Sequence, residues 1–168
     1  MELLIPGLIL VALMVYASTR IKKRAAEAFE PETIETERYT LRKPEGFLHV
    51  IDSPRHDFEA YSKEYSDDDS SRRATIEVDI LRDTDLKSVL ESLRDASARF
   101  DVTEETENAC RVESEEAANE NGLNVFYKLV NSRAGAVYRL RFAVLAKHED
   151  EYLGRIDETL DSFTLKTE

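Results

Sequence analysis

The chain opens on an unbroken apolar run and crosses an acidic stretch. It then settles into short segments of period two, interrupted by two of period 3.6. Leu3 to Thr19 is seventeen residues without a charge, which as a helix spans about 25 Å, close to the hydrocarbon core of a bilayer. Leu3, Leu8, Leu10 and Leu13 supply its greasy body, and Tyr16 sits near its end, where a ring with a polar tip suits the headgroup level. Ile21 and the stems of the following cations extend the reach by snorkelling. Arg20, Lys22, Lys23 and Arg24 follow directly, whereas Glu2 is the only charged side chain before the run. A cleaved secretory signal would carry its cations ahead of the apolar stretch, so the pattern predicts a single N-terminal transmembrane helix that stays in place. Cations on the C-terminal flank put the N-terminus outside and everything after Arg24 on the cytoplasmic side.

Residues 25–37 hold Glu27, Glu30, Glu32, Glu35 and Glu37 around Pro31. With little to bury, this reads as an acidic spacer, and residues 38–168 as one globular domain. Tyr39 and Leu41 share one strand face, Lys43-Pro44-Glu45-Gly46 is a turn, and Phe47–Ile51 is a second short strand. Phe58–Tyr65 fits a strand or a turn or two of helix, and Asp67-Asp68-Asp69 is a loop tip. In Ala74–Leu81, Ile76, Val78 and Ile80 alternate with Glu77 and Asp79, the signature of a half-buried strand. Asp83, Thr84 and Asp85 then introduce a helix whose stripe is Leu86, Val89, Leu90, Leu93 and Phe100. Strands follow at 109–113, 123–130 and 136–145, linked by turn residues, which makes an antiparallel meander. A closing helix over 149–161 carries the stripe Leu153, Ile156 and Leu160, and Ser162-Phe163-Thr164-Leu165 is a short last strand. The expected class is α+β, a central antiparallel sheet covered by helices, preceded by the membrane helix.

Three features carry a resemblance: the strand into Lys43-Pro44-Glu45-Gly46-Phe47, a central helix followed by a Tyr- and Phe-rich meander, and a last helix running into Ser162-Phe163. Over about residues 38–167 the chain resembles the PsbP-like superfamily, the group of the photosystem II extrinsic protein and the Mog-type Ran-binding proteins. The resemblance implies an α/β/α sandwich and a non-catalytic accessory or binding role, and it transfers no metal or partner-binding residue. Many such proteins are exported, a departure from the cytoplasmic placement that the flanking charges imply here.

Charge narrows the partners. The chain carries −12 overall; the first 24 residues hold +3 and the remainder −15. Nucleic acid is excluded as a partner by that sign. One cysteine, Cys110, excludes an internal disulfide, and its alternating strand makes it a small buried hydrophobe rather than a nucleophile. His49, His56 and His148 have no metal-ligand spacing, and Asp67–Asp69 lacks the order of a calcium loop. No phosphate-binding glycine loop or nucleophile–base motif is present, so neither a cofactor nor an enzyme activity is expected. The domain's basic feature is Arg133, Arg139 and Arg141, a candidate partner face if exposed and a set of ion pairs with internal acids if covered. The leading expectation is a single-pass, membrane-anchored accessory or scaffold protein, in contact with the lipid bilayer through its helix and with a membrane protein complex through its acidic domain. The alternative is a tethered domain that binds a small ligand or a cation.

Overall fold

The computed structural model describes residues 4–67, 71–116, 122–133 and 135–166, with side chains left undescribed at 4–10, 12, 24 and 25. Helix α1 runs Leu4–Glu27. Of the expected anchor residues, Leu3 and the side chains of Leu8 and Leu10 lie outside the described residues, as does the side chain of Arg24 in the basic cluster. Leu13 and Tyr16 are uncovered, at 59% and 63% exposure, and Arg20, Lys22 and Lys23 point into solvent. The described apolar side chains begin only at Val11, and the helix turns charged from Arg20. Among the described residues, accordingly, no helix is long and apolar enough to cross a membrane.

The supposed spacer is partly ordered structure. Strand β1 (Glu32–Glu35) pairs antiparallel with β2 (Tyr39–Lys43), and Ile34 is buried against the main core. Lys43 is almost wholly buried, and its ammonium donates to the Ala28 carbonyl at 2.9 Å and lies 3.6 Å from Glu32. The backbone N–H of Gly46 donates to the Phe29 carbonyl at 2.8 Å. The exit from α1 is therefore pinned to the β2 edge. Lys43→Met keeps the side-chain volume but leaves the Ala28 carbonyl without its donor. We expect a cost of about 1–2 kcal/mol, read by urea unfolding, together with faster proteolysis at residues 26–31.

Seven strands form the main sheet: β3 (Phe47–His49), β4 (Phe58–Ser62), β5 (Ala74–Arg82), β6 (Arg99–Glu105), β7 (Ala109–Glu116), β8 (Leu123–Asn131) and β9 (Ala136–Leu145). Their order is β3-β4-β5-β9-β8-β7-β6, antiparallel throughout. A smaller sheet, β1-β2-β10, is closed by β10 (Thr164–Leu165). Helix α2 (Leu86–Ala96) starts on the Asp85 cap, whose carboxylate accepts from Ser88 N–H at 2.7 Å. Helix α3 (Glu149–Ser162) opens with three acids at its positive end. The fold is α+β, as its alternation predicts.

Period two gives the sheet two apolar faces. Ile76 and Val78 of β5 and Leu140, Phe142 and Val144 of β9 pack with α3, β2 and Phe163. On the other face Val112, Val125, Leu129 and Val137 pack with Val89 and Leu93 of α2. Three local readings are corrected. Phe100 belongs to β6, because the helix ends at Ser97, where the backbone turns extended, and Ala98 N–H already bonds Glu115 of β7. Leu153 is 44% exposed and Tyr152 takes its place in the stripe of α3. The strand from Phe47 stops at His49, and Ile51 turns out to solvent ahead of a positive-φ turn at Asp52.

Candidate functional site

A cavity of about 490 Å³ opens where the small sheet meets the ends of β8 and β9. Four separate segments build it. The β2–β10 ladder holds one wall: Leu165 pairs with Tyr39, and Lys166 N–H donates to the Arg38 carbonyl at 2.8 Å. The tight turn between β8 and β9 makes the other, with Gly135 at φ +77 and Ser132 N–H bonded to the Ala136 carbonyl. Such a φ is open to glycine at no steric cost, and Arg133 of the same turn lines the opening. Val130, Tyr138, Phe163 and Leu165 supply apolar lining, with Ala109, Asn131, Ser132 and Thr164 between.

The lining holds four cations, Arg38, Lys128, Arg133 and Lys166, against one carboxylate, Glu37. Lys128 is committed: its ammonium donates to the carbonyls of Leu160 and Phe163 at 2.7 and 2.9 Å, closing the C-terminal end of α3. Burial, then the nearby Arg111, holds the Lys128 ammonium below the usual lysine range. Lys166 is 3.8 Å from Glu35. Arg38 and Arg133, both exposed, form no ion pair with a described residue. Behind the wall Tyr39 meets Tyr138 edge to face and Phe163 at a tilt, and its buried hydroxyl has no hydrogen-bond partner among the described residues. Burial, and then Asp57, pushes that phenol up to about 12.

The three arginines singled out in the sequence do not converge. Arg133 lines the cavity on the α3 side of the sheet. Arg139 and Arg141 point to the α2 side, where register places Asp79 and Glu77 directly across from them. Arg139 donates to Asp79 at 2.8 Å; Arg141 donates to Glu77 at 3.1 Å and to Glu116 at 2.8 Å. His56 Nδ1 meets the other oxygen of Asp79 at 2.8 Å, and Tyr127 donates to Glu116 at 2.5 Å. This half-buried network pairs both guanidinium groups with internal acids, leaving the buried Arg139 Nε without a partner among the described residues, so they offer no open partner face.

Catalytic chemistry finds little support in these groups. Cys110 is buried, and burial followed by Glu105 pushes its thiol up to about 11, away from the reactive thiolate. His148 is held by Glu151 at 3.0 Å, and neither it nor His56 has a described hydroxyl or thiol bonded to its ring. Asp67 of the acidic loop pairs with Lys147 at 2.8 Å, while Asp68 and Asp69 lie outside the described residues. Among the described residues no group of three or more His, Cys, Asp or Glu side chains is placed to hold a metal ion.

By sequence the chain matches no family model and no curated protein. By structure it resembles LpqN of Mycobacterium tuberculosis, described as involved in cell envelope biogenesis, at 15% identity and a TM-score of 0.58, over 82% of this chain and 91% of that one. The cyanobacterial PsbP (CyanoP) of Synechocystis sp. PCC 6803 aligns at 14% identity and 0.57, over 82% and 94%. The Saccharomyces cerevisiae Ran-binding protein Mog1p aligns at 14% and 0.53, over 82% and 96%. The chain has the PsbP/Mog1 fold.

Proposed function

We propose that this protein is a membrane-held, non-catalytic accessory or scaffold protein, with α1 as a single-pass anchor, its N-terminus outside and the folded domain on the cytoplasmic side. The observation that carries the reading is α1 itself. Val11, Leu13, Met14, Val15, Tyr16 and Ile21, each 59–67% exposed, point in every direction around the helix, and no other described residue covers them. A helix apolar all round is one that lipid or a partner must bury. The collar of Arg20, Lys22 and Lys23 stands where anionic headgroups would meet it. The acidic head is repelled by that same surface, which favours contacts with basic faces of a neighbouring membrane complex. Tethering raises the head's effective concentration there, so modest contacts suffice. The fold supports a binding role rather than a reaction: the yeast neighbour is a Ran-binding protein.

Alkaline carbonate extraction of cells expressing the full chain is the direct test. The protein should stay in the membrane pellet with its N-terminus intact, and removal of residues 1–24 should release it. Protease should reach the domain only in inverted vesicles. Release of the full chain by carbonate, or loss of its N-terminal segment on maturation, would sink the anchor. Crosslinking in native membranes then identifies the neighbour.

A second reading, a small-ligand domain, is favoured by the cavity.

A further inference from the structure

We infer that the cavity between the small sheet and the β8–β9 turn binds a single-chain anionic amphiphile, a carboxylate or phosphate monoester with an apolar tail. The inference stands apart from the membrane anchor and holds whether or not α1 enters a bilayer.

Three observations converge on it. The volume, about 490 Å³, falls in the roughly 300–1,000 Å³ range of small-molecule sites. The interior is chemically divided, with Val130, Tyr138, Phe163 and Leu165 giving a tail somewhere dry to go. The mouth inverts the sign of the protein: in a chain of net charge −12, the lining has four cations to one carboxylate. Arg139 and Arg141, on the other face of the sheet, are neutralised by internal acids. Arg38, beside the β2–β10 ladder, and Arg133, in the β8–β9 turn, form no ion pair with a described residue, and both line this one opening. Two guanidinium groups lining one opening suit an oxyanion with several acceptors. Lys128 adds positive charge within the cavity while its hydrogen bonds fix the end of α3, so the site is built before the ligand arrives.

A cationic or neutral amphiphile would satisfy the apolar wall but not the arginines. A bare anion would satisfy the arginines but leave the apolar wall wet. Only a ligand with both ends uses the whole cavity.

The test is calorimetric titration of octanoate, decanoate, octyl phosphate and decyl phosphate, each below its micelle concentration, into the full chain, free in buffer if it is soluble there and otherwise held in phosphatidylcholine nanodiscs. Buffer or empty nanodiscs serve as the blank. We expect one saturable site, tightening roughly tenfold from the octyl to the decyl ligand as two methylenes are buried. The double charge reversal Arg38→Glu with Arg133→Glu changes two exposed side chains, so it should leave the melting temperature unchanged and weaken binding at least about tenfold. Comparison of decanoate with decyl phosphate tells which headgroup the mouth prefers. Equal uptake of decyltrimethylammonium, binding of inorganic phosphate as tight as that of decyl phosphate, or unaltered affinity in the charge-reversed variant would each overturn the assignment. Heat no greater than the blank would do the same.

Discussion

Phe142→Ala is expected to remove about 4 kcal/mol of unfolding free energy, against a total of roughly 5–15 kcal/mol for a domain of this kind. Phe142 is fully buried at the middle of β9, between Ile76 of β5 and Phe126 of β8 in the ladder. Its ring lies 5.5 Å from that of Phe47 and 6.5 Å from that of Tyr152, edge to face. Phe47 and Tyr152 are in turn 6.0 Å apart. This one side chain thus joins the central strand, the far edge of the sheet and α3. Its loss opens a void walled by three elements that are held apart, which places the cost in the middle of the range for such truncations. Urea unfolding should show a lower midpoint at unchanged slope. Phe142→Leu keeps most of the volume and should cost less than about 2 kcal/mol. Ile51→Ala, at a position 81% exposed, should shift stability by no more than about 0.5 kcal/mol. Equal effects for Phe142→Ala and Ile51→Ala would show that the aromatic triad does not hold the layers together.

The elements that period could announce were legible from the sequence. β5 and α2 bury one face and leave a regular apolar stripe, while β8 and β9, covered on both faces, leave long runs rich in apolar residues. β6 escaped because it is an edge strand with almost every side chain exposed, so no alternation exists to be read; Phe100, seven residues after Leu93, imitates one more helical turn. β1 escaped for another reason. Its single buried residue, Ile34, is set among acids, and only pairing with β2 makes it a strand. Tyr152 and Leu153 differ by one step of 100° around α3, too fine a phase to fix without knowing where the sheet lies. The alternation of Arg139 and Arg141 was visible, but their fate was not. Glu77 and Asp79 lie some sixty residues earlier and meet them only through the β5–β9 register. The cavity had no local sign at all, since its walls come from four distant segments.

Arg141→Met should destabilise the domain by about 3 kcal/mol at neutral pH, the lower end for a broken buried pair, because the site is not fully enclosed. Only 17% of the Arg141 side chain is accessible, and its two donors go to two carboxylates, Glu77 and Glu116. Met fills much of the space but leaves those acids half-buried without a counter-charge. The pH dependence separates this from a packing defect. In the native protein burial works against the Glu116 carboxylate, yet the hydrogen bonds from Tyr127 and Arg141 prevail and hold it below the ordinary range. A carboxylate depressed on folding stabilises the native state above its unfolded value, about 4.3 for Glu, and that contribution disappears as the pH falls through the folded value. Without Arg141 burial remains while its hydrogen bond and charge are lost, so the Glu116 carboxyl takes up its proton at higher pH than in the native protein, and acidification relieves the variant. The stability gap between the two proteins should therefore be widest near pH 7 and shrink to less than half as the pH approaches about 4. Urea unfolding at a series of pH values measures it. A gap of constant size across that window would mean that Arg141 serves by its bulk rather than its charge. Because the pair is satisfied within the chain, the substitution should act on stability and leave any ligand uptake by the folded protein intact, whereas the Arg38 and Arg133 variants should do the opposite.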